Sequence, residues 1–139
     1  TFGAPWLKGW DLAKKLNDVA LPGARFRPIQ FQPTFQKHSG ELCEGCFLHV
    51  TDRRSFEPVL TSFSVIRACA EMGGNQFAWK EPPYEYETKK RPIDILLGRK
   101  GLAEKIVGDT PINELRQLLV QDAAEFEPIR KASLLYPTT

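Results

Sequence analysis

The chain has few of the features that mark specialised classes of protein. Its 139 residues carry 19 Lys and Arg against 17 Asp and Glu, with no basic block. The electrostatic footprint of a nucleic-acid-binding protein is therefore absent. No apolar run approaches the length needed to cross a bilayer, and no basic-then-apolar leader opens the chain. We expect neither a nucleic-acid partner nor a membrane span.

Short motifs of common enzyme chemistries are also missing. The chain has no nucleophile elbow, no phosphate-binding glycine loop, no dinucleotide fingerprint and no paired metal-binding histidines on a helix. It has no internal repeat and no low-complexity segment. A length of 139 residues allows a real core, because such a chain buries roughly 70% of its unfolded surface. A single domain over residues 1–139 is the simplest interpretation.

Three cysteines cannot all pair, so a disulfide framework is not indicated. Cys43 and Cys46 form an isolated C-x-x-C, and zinc would need two further ligands, for which His38 and His49 are the available imidazoles. In an extended strand the two cysteines would point to opposite faces. We therefore favour thiols that pack as small hydrophobic groups, and expect neither a metal nor another cofactor.

The start of the chain is abrupt. Thr1 is not an initiator residue, and Phe2-Gly-Ala-Pro-Trp6 follows at once with side chains typical of a buried segment. We expect a piece of a longer protein, with a partner domain missing.

Apolar residues recur at helical spacing in several segments. These segments are residues 9–19, the stretch after Ser55, 94–97, 102–107, and the stretch from Thr110 onward. Ser55 is expected to cap the second helix, which Gly73-Gly74 ends. The last helix is predicted to be the longest. Pro128 interrupts it, and an interior proline costs about 3 kcal/mol, so we expect a kink or restart near Glu127.

Three other segments are predicted to be extended. Residues 25–32 form an edge or broken strand, because Pro28 cannot donate to a ladder, and residues 41–51 form a better strand. Residues 82–87 begin with two prolines and alternate aromatic with acidic side chains. Strands and helices without strict alternation predict an α+β or irregular α/β fold, with a small mixed or antiparallel sheet packed against three or more helices.

One short run, residues 31–52, concentrates candidate functional groups, including both histidines of the chain. Imidazoles beside carboxylates and a lysine serve proton transfer or bind polar ligands. Each residue also has an ordinary explanation. Lys37 lies on a probable solvated loop, His49 fits a half-buried imidazole hydrogen-bonded within a sheet, and Asp52 fits a cap or turn.

Two closely spaced pairs of charged residues follow. In an extended run Glu85 and Glu87 would project to one face about 7 Å apart, within the roughly 6.5–9.5 Å range of inverting glycosidases. The same spacing is common on solvated strand faces, and both interpretations stay open. Arg91 and Asp94 flank Pro92 and are suited to pair across that turn.

Several long motifs together resemble one known family. They are Phe2-Gly-Ala-Pro-Trp6, LPGARFRPIQFQPTFQKHSGELCEGCFLHVTDRRSFEPV over residues 21–59, PPYEYE over 82–87, PID over 92–94 and the closing SLLY. The combination is similar to the exo-β-N-acetylmuramidase family, formerly catalogued as a domain of unknown function. The resemblance covers nearly the entire chain. Cys46 and Pro128 depart from the usual pattern, which puts the strand and the last helix in doubt more than the site.

The resemblance implies a two-domain glycoside hydrolase that removes N-acetylmuramic acid from the non-reducing ends of peptidoglycan fragments, in a cleft between its domains. This chain looks like the C-terminal domain only. Family members begin with a larger, Rossmann-like domain that carries the principal catalytic glutamate, so no glutamate here inherits that role and the catalytic residues stay unknown. The family's association with the cell envelope implies a periplasmic or secreted protein.

Residues on the family motifs are candidates for the substrate-binding wall of the shared cleft. They are Lys37, Glu41, His49, Asp52, Tyr84, Glu85, Tyr86 and Asp94. Lys37 or His49 is suited to bind the lactyl carboxylate of the muramic sugar, and either tyrosine to stack on it. The alternative is a self-sufficient, non-catalytic module that binds glycans or another protein.

Overall fold

The central strand of the molecule is β3, with a neighbour on each side. The computed structural model describes residues 1–136, so residues 137–139 of the predicted domain lie outside the described residues. The strands are β1 (Phe2–Ala4), β2 (Ala24–Phe31) and β3 (Cys43–Val50), in the antiparallel order β1-β3-β2. The predicted edge strand is confirmed, and Pro28 lies on it opposite Cys46.

Helices cover the sheet on one side and extend beyond it. They are α1 (Gly9–Asp18), α2 (Pro58–Gly73), α3 (Pro92–Leu97), α4 (Leu102–Val107) and α5 (Ile112–Ala132), with a 3-10 turn at Gly74–Gln76. The α+β class is confirmed. In residues 1–136 no helix is both long enough and apolar enough to cross a bilayer.

The core forms where α1 packs on one face of the sheet, α2 packs on α1, and α4 packs on α2. Leu12, Leu16, Leu60 and Ile106 are almost completely buried there, and Phe26 faces them from β2. This burial follows the helical spacing read from the sequence, since one apolar stripe of each helix turns inward.

Polar side chains fix α1 to the sheet. The Asn17 side chain donates to the carbonyl of Phe26 at 2.9 Å and accepts from its N–H at 3.0 Å. At the other end of the helix, the Glu44 carboxylate accepts the Gly9 N–H at 2.8 Å. All three bonds satisfy backbone groups that would otherwise lack a partner.

Two glycines allow the chain to come close at the β1 end of the sheet. A Cβ on Gly45 would collide with the carbonyl oxygen of Phe2. A Cβ on Gly9 would lie 2.9 Å from the carbonyl oxygen of Gly45, where α1 starts. The stacking of β1, β3 and α1 therefore requires residues without side chains at both positions.

One expectation about helix ends is wrong and another is wrong in part. Helix α2 begins at Pro58 with Glu57 at its N-cap, because the Ser55 hydroxyl donates instead to Asp52. Helix α5 runs through Pro128 to Ala132, so the expected restart is absent, whereas a kink near Glu127 stays a prediction. Pro128 costs the helix one backbone hydrogen bond, because proline has no N–H.

The apolar stripe of α5 is only half buried. Leu115 is fully buried, whereas Phe126 is 56% exposed and Ile129 is 61% exposed. Its second half therefore extends past the core that the other helices share.

Candidate functional site

A cleft of about 450 Å³ opens between β1, the loop of residues 32–42, helix α2 and residues 76–78. Its walls are mainly apolar and aromatic, and include Phe2, Trp6, Phe31, Ile66 and Phe77. The polar groups in its lining include the ionisable side chains of Lys37 and His38, the Gln76 amide and two thiols. Apolar walls with a few polar groups are typical of small-molecule sites.

The 32–42 loop is held by its own hydrogen bonds. Gly40 donates from its N–H to the carbonyl of Pro33 at 2.8 Å, and the Gln32 amide donates to the carbonyl of Gly40 at 2.6 Å. Gln36 and His38 both adopt left-handed backbone conformations with φ of 62°. Such strained non-glycine residues persist where the surroundings fix them, and they are frequent at binding sites.

Charge in the cleft is concentrated on this loop. His38 Nδ1 lies 3.3 Å from Glu41 Oε1. Glu41, which does not itself line the cleft, therefore orients the imidazole. Lys37 forms no ion pair within residues 1–136. An ammonium group without a carboxylate partner, next to aromatic walls, can bind an anionic group on a partly apolar ligand.

The two thiols of the cleft are in their neutral form near pH 7. Burial raises the pKa of Cys69 to about 11, and burial also raises the pKa of Cys43. They therefore contribute apolar wall rather than nucleophiles.

Cys43 and Cys46 lie on opposite faces of β3, as predicted. Cys43 lines the cleft, whereas the Cys46 thiol contacts the Gly9 carbonyl oxygen at 3.8 Å on the α1 side. Within residues 1–136 no three His, Cys, Asp or Glu side chains are grouped closely enough to hold a metal ion.

A second cavity, of about 500 Å³, lies between α1 and α2 but its charged groups are already engaged. Lys15 Nζ pairs with Glu71 at 2.6 Å, and Arg67 donates to the carbonyls of Lys105 and Ile106 at the end of α4. These contacts hold helices together, so we assign no ligand to this cavity.

His49 lies far from the cleft. It is six residues beyond Cys43 on β3, a distance of about 20 Å along an extended strand. Its imidazole is exposed and contacts the Phe47 ring, with ring centroids 4.8 Å apart and planes tilted by 44°. The expected half-buried imidazole, hydrogen-bonded within the sheet, is therefore wrong, because no helix of residues 1–136 covers that end of that face.

Asp52 has the turn role that the sequence allowed. Its carboxylate accepts the Ser55 hydroxyl at 2.7 Å and the Arg54 N–H at 2.9 Å. These bonds favour the ionised form and lower the pKa of Asp52. Both carboxylate oxygens are thus used locally.

The segment predicted to be extended, residues 82–87, contains a tight turn instead. Tyr84 and Glu87 exchange two backbone hydrogen bonds, of 2.9 and 3.0 Å, and Glu85 has a φ of 52°. The Glu87 carboxylate accepts the N–H groups of Lys89 and Lys90. The chain reverses between the two glutamates, so the extended backbone on which the glycosidase-like pair depended is wrong.

The two tyrosines of this turn differ in environment. The Tyr84 ring is partly buried under the Lys80 ammonium, 5.4 Å from the ring centroid. Tyr86 is fully exposed at the tip. Neither lines the cleft of residues 32–42.

Asp94 takes part in the ion pair that the sequence suggested. Arg91 donates to both of its carboxylate oxygens, at 2.9 and 3.1 Å, and also to Glu104. The guanidinium thereby joins α3 to α4 and lowers the pKa of Glu104. Asp94 is thus occupied by a structural contact.

The eight predicted residues therefore fall into separate groups. Lys37 lines the cleft and Glu41 supports it through His38, whereas the other six lie elsewhere. Sequence reasoning missed the aromatic walls formed by Trp6, Phe31 and Phe77. Phe31 lies in the same motif as Lys37 and Trp6 lies in another motif, which was the available signal, whereas Phe77 lies in no motif and only the fold places it in the cleft.

The chain is similar to known proteins. The family model described as "Exo-beta-N-acetylmuramidase NamZ, C-terminal" matches residues 1–136. The chain belongs to this family. It is also 34% identical over 134 residues to a protein named peptidoglycan beta-N-acetylmuramidase NamZ from Bacillus subtilis (strain 168), covering 96% of this chain and 30% of that protein. The chain thus spans 30% of the length of the curated relative it matches.

A solved structure shares the fold of this chain. It is the crystal structure, at 1.65 Å resolution, of a DUF1343 family protein from Bacteroides fragilis NCTC 9343. The TM-score is 0.78 at 22% identity, over 98% of this chain and 35% of the other. At that identity the likeness supports the fold alone.

Proposed function

We propose that this chain is the substrate-holding, non-catalytic domain of an exo-β-N-acetylmuramidase that releases N-acetylmuramic acid from the non-reducing ends of peptidoglycan fragments. The observation that carries this proposal is the aromatic cleft with the unpaired ammonium of Lys37 among its lining residues. Membership of the NamZ C-terminal family supports the substrate class.

Muramic acid differs from the other sugar of peptidoglycan by its lactyl carboxylate, which matches the polarity of the cleft. Lys37 binds that carboxylate, and the rings of Phe31 and Phe77 contact the apolar face of the sugar. Glu41 orients His38, which donates to a hydroxyl or carboxylate of the ligand. Of the candidate residues from the motifs, Lys37 contacts the ligand directly and Glu41 acts through His38.

The acid and base of the reaction come from outside this chain. No carboxylate is among the residues that line the cleft within the described chain. Hydrolysis of a glycoside requires a proton donor at the leaving oxygen and usually a second carboxylate. We propose that a larger Rossmann-like N-terminal domain supplies them and completes the cleft, in an enzyme of the cell envelope.

The exposed second half of α5 also fits a domain that works with another. Phe126 and Ile129 are three residues apart, so they share a helix face that nothing in residues 1–136 covers. Exposed apolar surface of this kind is typical of an interaction site.

The proposal is tested by hydrolysis of two chromogenic glycosides, of N-acetylmuramic acid and of N-acetylglucosamine, by the full-length enzyme and by this chain. We expect turnover of the muramic glycoside by the full-length enzyme and none by the chain alone. Lys37→Met should raise KM for the muramic glycoside about tenfold or more, since a hydrogen bond to a charged group contributes about 1.5–3 kcal/mol.

The controls separate carboxylate binding from general damage. Lys37→Arg should recover part of the loss, and Lys100→Met, at an exposed lysine after α3, should change nothing. The glucosamine glycoside lacks the lactyl group, so Lys37→Met should leave its KM unchanged. Equal losses for both glycosides, or turnover by the chain alone, would contradict the proposal.

A further inference from the structure

The sheet face opposite the helices is exposed over half of its length and carries positively charged side chains. On this face Arg25 of β2 is directly opposite His49 of β3, and Arg27 is opposite Phe47. Directly opposed residues of antiparallel strands project to the same side. All four are exposed, and Phe47 shows 40% of its surface.

These side chains form one continuous row. The Arg27 guanidinium lies over the Phe47 ring, 5.7 Å from its centroid, and the Phe47 ring contacts His49. Arg25 lies two residues from Arg27 on the edge strand, about 7 Å along it. The row is therefore a flat strip in which an aromatic surface lies between cationic groups.

Within residues 1–136 the arginines at this end of the sheet form no ion pairs, whereas four of the five arginines elsewhere do. Away from it, Arg91, Arg99, Arg116 and Arg130 all bind carboxylates. Within residues 1–136 no ion pair involves Arg25, Arg27, or the two arginines of the turn after β3, Arg53 and Arg54.

The nearest acidic group in sequence forms no ion pair with these arginines within residues 1–136. Asp52 uses its carboxylate oxygens on the Ser55 hydroxyl and the Arg54 N–H. Folding therefore leaves four guanidinium groups unpaired at one end of the molecule, while the whole chain has a formal charge of only +2.

We propose that this strip binds a carboxylate-bearing glycan strand at a site separate from the cleft. Guanidinium groups bind carboxylates in a planar, two-bonded geometry, and an exposed ring offers a surface to the apolar face of a sugar. An open, flat strip fits an extended polymer better than a small molecule, which needs a concave site. The identification of the polymer as peptidoglycan rests on the proposed function, whereas the existence of the cationic strip does not depend on it.

The experiment measures co-sedimentation of the full-length enzyme, and of this chain, with purified peptidoglycan sacculi. Arg25→Glu combined with Arg27→Glu should reduce the bound fraction at least tenfold, and Phe47→Ala should reduce it severalfold. The matched control combines Lys100→Glu with Lys105→Glu, which changes the charge equally at exposed residues near α4 and should have no effect.

Three further arms decide the ligand and the site. Sacculi whose carboxylates have been amidated should no longer bind, and neither polyphosphate nor duplex DNA should bind as well as sacculi. The Arg25 and Arg27 double variant should hydrolyse the small muramic glycoside normally, which separates this proposal from that of the cleft. Retained binding to amidated sacculi, equal binding to any polyanion, or loss of small-substrate turnover would overturn the proposal.

Discussion

The two ends of β3 show how one strand can carry two different surfaces. At the first end, Cys43 and Cys46 are fully buried. At the second end, Phe47 and Val50 are 40% and 46% exposed. The difference comes from the neighbours of the strand, because β1 pairs only with Glu44, Gly45 and Cys46 and the 32–42 loop forms the cleft beside Cys43.

The largest expected difference between the two ends is in stability. Gly45→Ala places a Cβ against the Phe2 carbonyl oxygen, and we expect a loss of about 3 kcal/mol of unfolding free energy, at the upper end for overpacking. His49→Ala, at the exposed end, should change it by no more than about 0.5 kcal/mol. Urea unfolding followed by circular dichroism measures both. Similar losses at the two positions would refute the contrast.

Thiol reactivity should differ nearly as strongly. Burial raises the pKa of Cys46 and Cys69 to about 11, against an ordinary value of 9.0, so their thiolate fraction at pH 8 is about a hundredfold lower. A cysteine placed at the exposed end by His49→Cys should react with Ellman's reagent about a hundredfold faster than Cys46 and Cys69, and faster than Cys43. A single fast phase that accounts for all four thiols would contradict this.

A smaller, pH-dependent effect compares the carboxylates of the two ends. The Gly9 N–H bond lowers the pKa of Glu44 below its ordinary 4.5, so its contribution to stability is present above pH 4.5 and is lost as pH falls further. Glu44→Gln should lower Tm at pH 7, and the difference from wild type should shrink below about pH 4.5.

Asp52→Asn is the matched comparison, because the pKa of Asp52 is also lowered but its bonds stay within one turn. We expect a smaller decrease in Tm than for Glu44, which links α1 to the sheet. A scan of Tm against pH from 3 to 8 for the three proteins checks both expectations. A decrease that grows on acidification would show that the sign is wrong.

Much of the fold could be predicted from local patterns. Pro28 predicted the edge strand, apolar spacing predicted helices at their observed places, and Arg91 and Asp94 were close enough in sequence to suggest their ion pair. Each of these depends on residues near one another in the chain, where spacing determines geometry.

The failures have a common physical cause, which is that distant or unusual contacts leave no local pattern. The turn at Tyr84 places Glu85 at positive φ, where glycine or asparagine would have signalled it. The alternation of apolar and polar residues along β3 could not show that the sheet face around His49 is exposed. The cleft was missed as a unit because its walls come from four separate stretches of sequence.

The most direct test of the account is an NMR titration of the isotope-labelled chain with N-acetylmuramic acid. The account predicts that the amide resonances of Lys37, His38, Gln76 and Phe77 shift together with one dissociation constant, and that Lys37→Met abolishes these shifts. Shifts confined to Tyr84–Glu87, or to Phe47 and His49 with none at the cleft, would contradict it.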